Sequence, residues 1–146
     1  MKTLPILLLV LSVSLVLSCS SKDTIAPSDK VSDTQVIGRW NLARITNGFG
    51  QTSYNPAETG TSETIDFNPD GTFHRLSKDK LGQQEEKGNY YTGPNPTQTV
   101  EKQAIFYPDD KTVQPYSFRD GRLFLYQRGS QDATIADGST YEYQRQ

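Results

Sequence analysis

The residues able to do acid–base or nucleophilic chemistry are few and scattered. His74 is the only histidine, and a general base needs a partner set against it, which neither Phe73 nor Arg75 supplies. It is expected on a strand face. Glu85-Glu86 and Asp109-Asp110 resemble the carboxylate pairs of sugar hydrolysis, but adjacent residues of an extended chain point to opposite sides. Both pairs are expected in solvated connections. Ser53 and Ser117 lack a Gly-x-Ser-x-Gly setting. The stretch from Asp132 to Asp137 does not alternate oxygen ligands as a calcium loop does. With one histidine and one cysteine, a zinc site of the usual composition is out of reach. No catalytic constellation, metal site or cofactor motif results, and the chain is expected not to be an enzyme.

The eight tyrosines are more informative. Tyrosine offers an apolar body for contact and a hydroxyl for orientation, which is what a small-molecule cavity needs. Candidate ligand contacts are Phe49, Tyr54, Tyr91, Tyr107 and Tyr116. The competing reading is that these aromatics are core and cross-strand residues, since aromatics favour strands. Both readings stay open on the sequence.

The elements that must position them are β-strands. Glycine and proline punctuate the second half, and no long stretch repeats apolar residues at helical spacing. Val36 to Ile45 reads as a first strand, with Val36, Gly38, Trp40 and Leu42 on one face, so the single tryptophan should point inward. Thr46 to Ser62 is a long polar loop carrying Phe49 and Tyr54, the length at which loops tend to be functional or disordered. Glu63 to Phe67 and Thr72 to Leu76 flank the Asn68-Pro69-Asp70-Gly71 turn, and Ser77 to Glu86 reads as a solvated connection. Strands are then expected over Lys87 to Thr92 and Thr99 to Tyr107. The best-defined hairpin pairs Lys111 to Arg119 with Arg122 to Arg128 across Asp120-Gly121. Pro115 inside it implies an edge, bulge or bend. Ser139 to Gln146 closes the domain with Tyr141, Tyr143 and Arg145 on one face. About eight antiparallel strands joined by hairpin turns suit a small up-and-down barrel, which hides its sheet edges. Such a barrel either is filled by its own side chains or holds one small ligand.

Composition bounds the rest. The length of 146 residues leaves room for one core. A net charge of -2 without a basic block offers no footprint for nucleic acid. One cysteine forms no internal disulfide. A single domain of this size is expected to be a monomer.

Met1-Lys2-Thr3 followed by the apolar run Leu4 to Leu17 is a signal-peptide pattern, too short to span a bilayer. Val16-Leu17-Ser18-Cys19 resembles the lipobox of bacterial lipoproteins, which implies cleavage before Cys19 and acylation there, enough for stable anchoring. Ser20 to Thr34 has almost nothing apolar to bury and reads as a flexible tether with a reach on the order of 20 Å. The expected organisation is a signal peptide over 1–18, the lipidated cysteine and tether over 19–34, and the barrel over 35–146. Serine after Cys19 resembles lipoproteins sent to the outer membrane, with the face left open.

Gly38-Arg39-Trp40, the long loop after it, the Asn68-Pro69-Asp70-Gly71 hairpin with Thr72-Phe73, and the terminal Tyr143-Gln144-Arg145 together resemble the lipocalin-like lipoproteins of Bacteroidetes. That resemblance implies a tryptophan closing the narrow end of the barrel, with a basic side chain across its ring. Arg145 is the first candidate for that role and Arg128 the second. It also implies a carrier in the cell envelope, taking a small apolar or amphipathic molecule at the mouth under the Thr46 to Ser62 loop. The alternative is a solid barrel whose surface tyrosines contact glycan or another envelope protein.

Overall fold

The computed structural model describes residues 33–97, 100–133 and 135–146. The expected signal peptide, Cys19 and the tether up to residue 32 lie outside the described residues. In chain order the elements are β1 (Gly38–Thr46), β2 (Ser53–Tyr54), the helical turn α1 (Pro56–Thr59), β3 (Ser62–Phe67), β4 (Thr72–Asp79), β5 (Gly82–Asn89) and β6 (Tyr91–Pro94). They continue with β7 (Gln103–Tyr107), β8 (Thr112–Arg119), β9 (Arg122–Tyr126), β10 (Gly129–Ser130) and β11 (Thr140–Arg145). The expected class, all-β and antiparallel, is the class found. One curled sheet runs β5-β4-β3-β1-β11-β9-β8-β7-β6, with β2 added to β1 and β10 to β8. First and last long strands pair at its centre, Trp40 opposite Arg145 and Ile45 opposite Tyr141.

Three expectations about the strands and their connections need correction. The connection expected over Ser77 to Glu86 is instead most of a hairpin, β4 pairing β5 from Thr72↔Asn89 to Asp79↔Gly82. Its charged residues stand on both faces of the sheet, so alternation of apolar and polar residues could not reveal it. The loop expected over Thr46 to Ser62 carries β2 and α1, the latter fixed by a capping box of Asn55 and Glu58 with Pro56 as its first residue. The barrel is also not closed by main-chain bonds, because β5 and β6 are the two edges of the sheet. Side chains span that seam: Asn89 N–H donates to Asp109 Oδ2 at 2.8 Å, and Arg128 Nη1 to Glu86 Oε1 at 2.7 Å.

Local chemistry explains the turns. Asp120 and Gly121 have φ of 50° and 72°, the doubly positive conformation of a two-residue hairpin, and Arg119 pairs Arg122 across them. Pro115 falls where one side of β8 changes partner, from β10 at Val113 to β9 at Tyr116. There Gln114 Nε2 donates to Tyr126 O at 2.9 Å, reaching across the gap in that ladder.

The core is one aromatic and aliphatic cluster, among it Val36, Trp40, Ile65, Phe67, Phe73, Tyr90, Ile105, Tyr107, Leu123, Leu125 and Tyr143. Its lower end is sealed by the segment before β1. Trp40 is buried, and its Nε1–H donates to Val36 O at 2.8 Å. Arg145 lies over the indole, Cζ 4.4 Å from the ring centroid, and donates to Ile37 O and Gln35 O at 2.9 and 2.8 Å. Gly38 has φ of +135°, and a Cβ there would meet Arg145 Nη1 at 2.6 Å, so glycine is needed twice over. Asp33 and Thr34, assigned to the tether on sequence, belong to this seal. Asp33 N–H donates to Thr92 Oγ1 at 3.0 Å and its carboxylate accepts from Tyr116 at 2.7 Å.

Arg145→Met keeps the length and apolar stem but removes two charge-assisted hydrogen bonds and the cation–π contact. The expected loss is about 1–3 kcal/mol in urea unfolding; a change below about 0.5 kcal/mol would show that the seal does not depend on this side chain.

Candidate functional site

The inward faces of β3, β4 and β5 do not stay apolar along their length. On β3 the inward row is Phe67, Ile65, Glu63, and on β4 it is Phe73, Arg75; each turns from aromatic or aliphatic to charged as it nears the open end. Glu86 faces the same way on β5, because it stands opposite Arg75. Arg128, just past β9, turns inward over the Tyr107 ring with Cζ 3.6 Å from its centroid. A polar layer therefore sits on the aromatic core.

Its bonding is dense. Arg75 Nη1 donates to Glu86 Oε2 at 3.1 Å and its Nε lies 3.5 Å from Glu63 Oε1. Arg128 reaches Glu86 at 2.7 Å and also pairs with Asp110. Tyr107 Oη–H donates to Gln114 Oε1 at 2.9 Å, and Arg75 Nη2 to the same oxygen at 3.3 Å. Tyr143 Oη–H donates to Glu63. Both guanidiniums are mostly covered, with side chains 15% and 16% exposed. Above this layer opens a cleft of about 190 Å³ lined by Glu63, Arg75, Gln114, Gln127, Arg128, Tyr141 and Tyr143. It is the mouth of the half-barrel, and its lining is polar with two tyrosines.

The five expected ligand contacts do not converge there. Tyr107 is buried beneath Arg128, in the floor. Tyr54 on β2 stands opposite Ile45, at the rim close to Tyr141. Phe49 projects into solvent, 91% exposed. Tyr116 is at the closed end, bonded to Asp33. Tyr91 lies outside the barrel, stacked on Phe106 with centroids 4.7 Å apart and planes 3° from parallel. The reason is pairing: Tyr91 is opposite Phe106, whose parity is opposite to that of the core residues Ile105 and Tyr107. Of the two arginines considered for Trp40, Arg145 occupies that ring and Arg128 occupies Tyr107.

The carboxylate pairs divide as their geometry requires. Glu86 faces inward, while Glu85 faces outward, accepting from His74 at 2.8 Å and Lys87 at 2.7 Å. The hydrogen bonds from Lys87 and His74 hold the Glu85 carboxyl below its usual range. His74 thus has a partner that only the β4–β5 pairing supplies, on the outer surface. Asp109 accepts from Asn89 across the seam, whereas Asp110 pairs with Arg128 within one arm of the sheet. Sequence reasoning missed Glu63, Arg75, Glu86, Gln114 and Gln127 as lining or floor residues. The usable signal was parity: Glu63 shares a face with Ile65 and Phe67, and Arg75 with Phe73. A second cleft, about 200 Å³, lies on the outer face against Val113, Pro115, Tyr126 and Ile135.

No family model and no curated protein matches the chain. Among solved structures, a siderocalin, Ex-FABP, described as functioning through dual ligand specificities, is similar over 77% of this chain and 75% of that chain, at 11% sequence identity and a TM-score of 0.45.

Burial pushes the hydroxyls of Tyr107 and Tyr143 above the ordinary tyrosine range, and those of Tyr90 and Tyr116 likewise, the last helped by its bond to Asp33. A phenol whose folded pKa is raised stabilises the fold fully below the unfolded value near 10, and that stability is lost as pH rises above it. Unfolding free energy should therefore fall above about pH 10 by about 1.4 kcal/mol per pH unit for each such tyrosine. Tyr143→Phe should flatten the slope measured between pH 9 and 11. Ultraviolet titration showing all tyrosines of the folded chain ionising together near pH 10 would contradict this.

Proposed function

We propose that this chain is a lipid-anchored, lipocalin-like binding protein of the bacterial cell envelope, monomeric and not an enzyme, that takes a small amphipathic molecule at the mouth of its half-barrel. The observation that carries this reading is the polar cleft above a filled apolar interior. A wholly apolar ligand finds its space already occupied by Phe73, Tyr107, Ile105 and Leu125. A molecule with a polar end can place that end in the cleft and lay its apolar part along the rim at Tyr54 and Tyr141.

Anchoring at Cys19, with delivery to the outer membrane, is supported by the signal-like run and lipobox resemblance of residues 4–19. The described chain starts at Asp33, held against Thr92 and Tyr116 at the closed end. An anchor attached before it leaves the mouth at the far end of the domain. A non-enzymatic role is supported by the engagement of the interior carboxylates and guanidiniums with one another, without a nucleophile and base aligned in the cleft.

One observation favours the second reading, a solid barrel acting through its surface: the Tyr91–Phe106 stack presents aromatic area outside the barrel.

Two measurements test the proposal on the full chain produced in a bacterial host. Metabolic labelling with palmitate should mark the protein, and Cys19→Ala should abolish the label and release the protein from membranes. Organic extraction of purified protein followed by mass spectrometry should recover an amphipathic molecule in near-stoichiometric amount. An unlabelled chain would overturn the anchor. No extractable molecule, together with no calorimetric binding of alkyl amphiphiles, would overturn the carrier and leave the surface reading.

A further inference from the structure

Resting on the mouth as the binding site, we infer that the polar end it accepts is a neutral, hydroxyl-bearing group, a sugar or polyol, and not an anion or a cation. The argument starts from charge. Two guanidiniums, Arg75 and Arg128, meet three carboxylates, Glu63, Glu86 and Asp110, all within 4 Å of one or the other. The layer is compensated to within one negative charge, and Glu86 bridges both arginines.

A carboxylate or phosphate head would touch Glu63 in the lining and could engage a guanidinium only by displacing a carboxylate already on it. The displaced carboxylate would lose its partner, most costly for Glu63, whose side chain is only 19% exposed. An ammonium head would meet Arg75 and Arg128, both of which line the cleft. Like charges in contact across a site cost several kcal/mol.

A hydroxyl both donates and accepts, and the lining offers both partners: Glu63 and the Gln127 amide oxygen accept, while the Gln127 amide N–H donates. No ion pair has to break. The half-buried Tyr141 ring supplies apolar contact that the C–H face of a sugar ring can use. Size agrees: a cleft of about 190 Å³ has room for a small polar head group.

The test holds the tail constant and changes the head. Octyl glucoside, octanoate and octylammonium, each below its micelle concentration, are titrated calorimetrically into the mature chain. Octyl glucoside is expected to bind at least about tenfold more tightly than either ion. Gln127→Ala should weaken the glucoside by about threefold or more, by loss of a hydrogen bond, while His74→Ala on the outer face leaves it unchanged. Glu86→Gln removes the bridging charge from both arginines and should raise octanoate affinity by about tenfold, a gain that a misfolded variant could not give. If either ion equals or outbinds the glucoside, the head assignment falls and the mouth reading stands. Binding of the glucoside untouched by Gln127→Ala, or no gain of octanoate in Glu86→Gln, also overturns the assignment. If none of the three binds, the assignment and the mouth reading fall together.

Discussion

The fold depends on finding a partner for one indole N–H. Trp40 is the largest side chain in the core, and burying it removes its single donor from water, which is costly unless an acceptor is supplied. The acceptor is Val36 O, four residues earlier, so the chain before β1 must turn beneath the barrel. That turn leaves the carbonyls of Gln35 and Ile37 to be satisfied, and Arg145 bonds to both while covering the indole face. The last strand is thereby tied to the residues preceding the first. Gly38 is the point at which the arginine passes close to the backbone. A single buried donor thus links the entry segment, β1 and β11, around which the two arms of the sheet curl.

At the other end the constraint is the seam. An eight- or nine-stranded sheet with a residual gap has two edges whose main-chain groups lack strand partners. Here the gap between β5 and β6 is crossed by side chains from the β7–β8 turn and from Arg128. Crossing it with Arg128 and Glu86 brings charge to the inner surface. Arg75, Gln114 and Tyr143 supply most of the hydrogen bonding that such charges need, leaving Arg75 Nε without a hydrogen-bond partner among the described residues. The polar layer and the incomplete barrel are therefore one feature seen from two sides.

The closed end was the legible part of the chain. Gly38-Arg39-Trp40 and the parity of Tyr141, Tyr143 and Arg145 are local patterns, and the Asp120-Gly121 turn follows from backbone preferences alone. The open end was not legible, because its signals are non-local or contrary to the usual alternation. Glu85 and Glu86 read as a solvated run, although one faces His74 outside and the other Arg75 inside, a division that appears only once β4 and β5 are in register. The tyrosines were misleading for a related reason: residue type says that Tyr91 and Tyr116 suit a cavity wall, but the pairing of Tyr91 with Phe106 turns it outward. Asp33 reads as tether by composition, and its bonds to Thr92 and Tyr116 span sequence separations of 59 and 83 residues, beyond the reach of any local pattern.

Stability is a poor explanation for the polar layer. Partly buried ion pairs recover little beyond their desolvation cost, and apolar residues of similar volume often serve a core as well or better. Leucine or methionine at Arg75 and Glu63 would extend the aromatic cluster upward and leave the curled sheet its seal at Trp40. What such a replacement would remove is a rigid set of oriented donors and acceptors: each guanidinium is fixed by two carboxylates, and Gln114 is held by Tyr107, Arg75 and Tyr126 at once. Groups fixed in this way lose little further freedom when a hydrogen-bonding ligand arrives, so they favour recognition where a flexible polar surface would not. The layer closes the seam with side chains that also preorganise the mouth, and it is the second property that apolar residues could not supply.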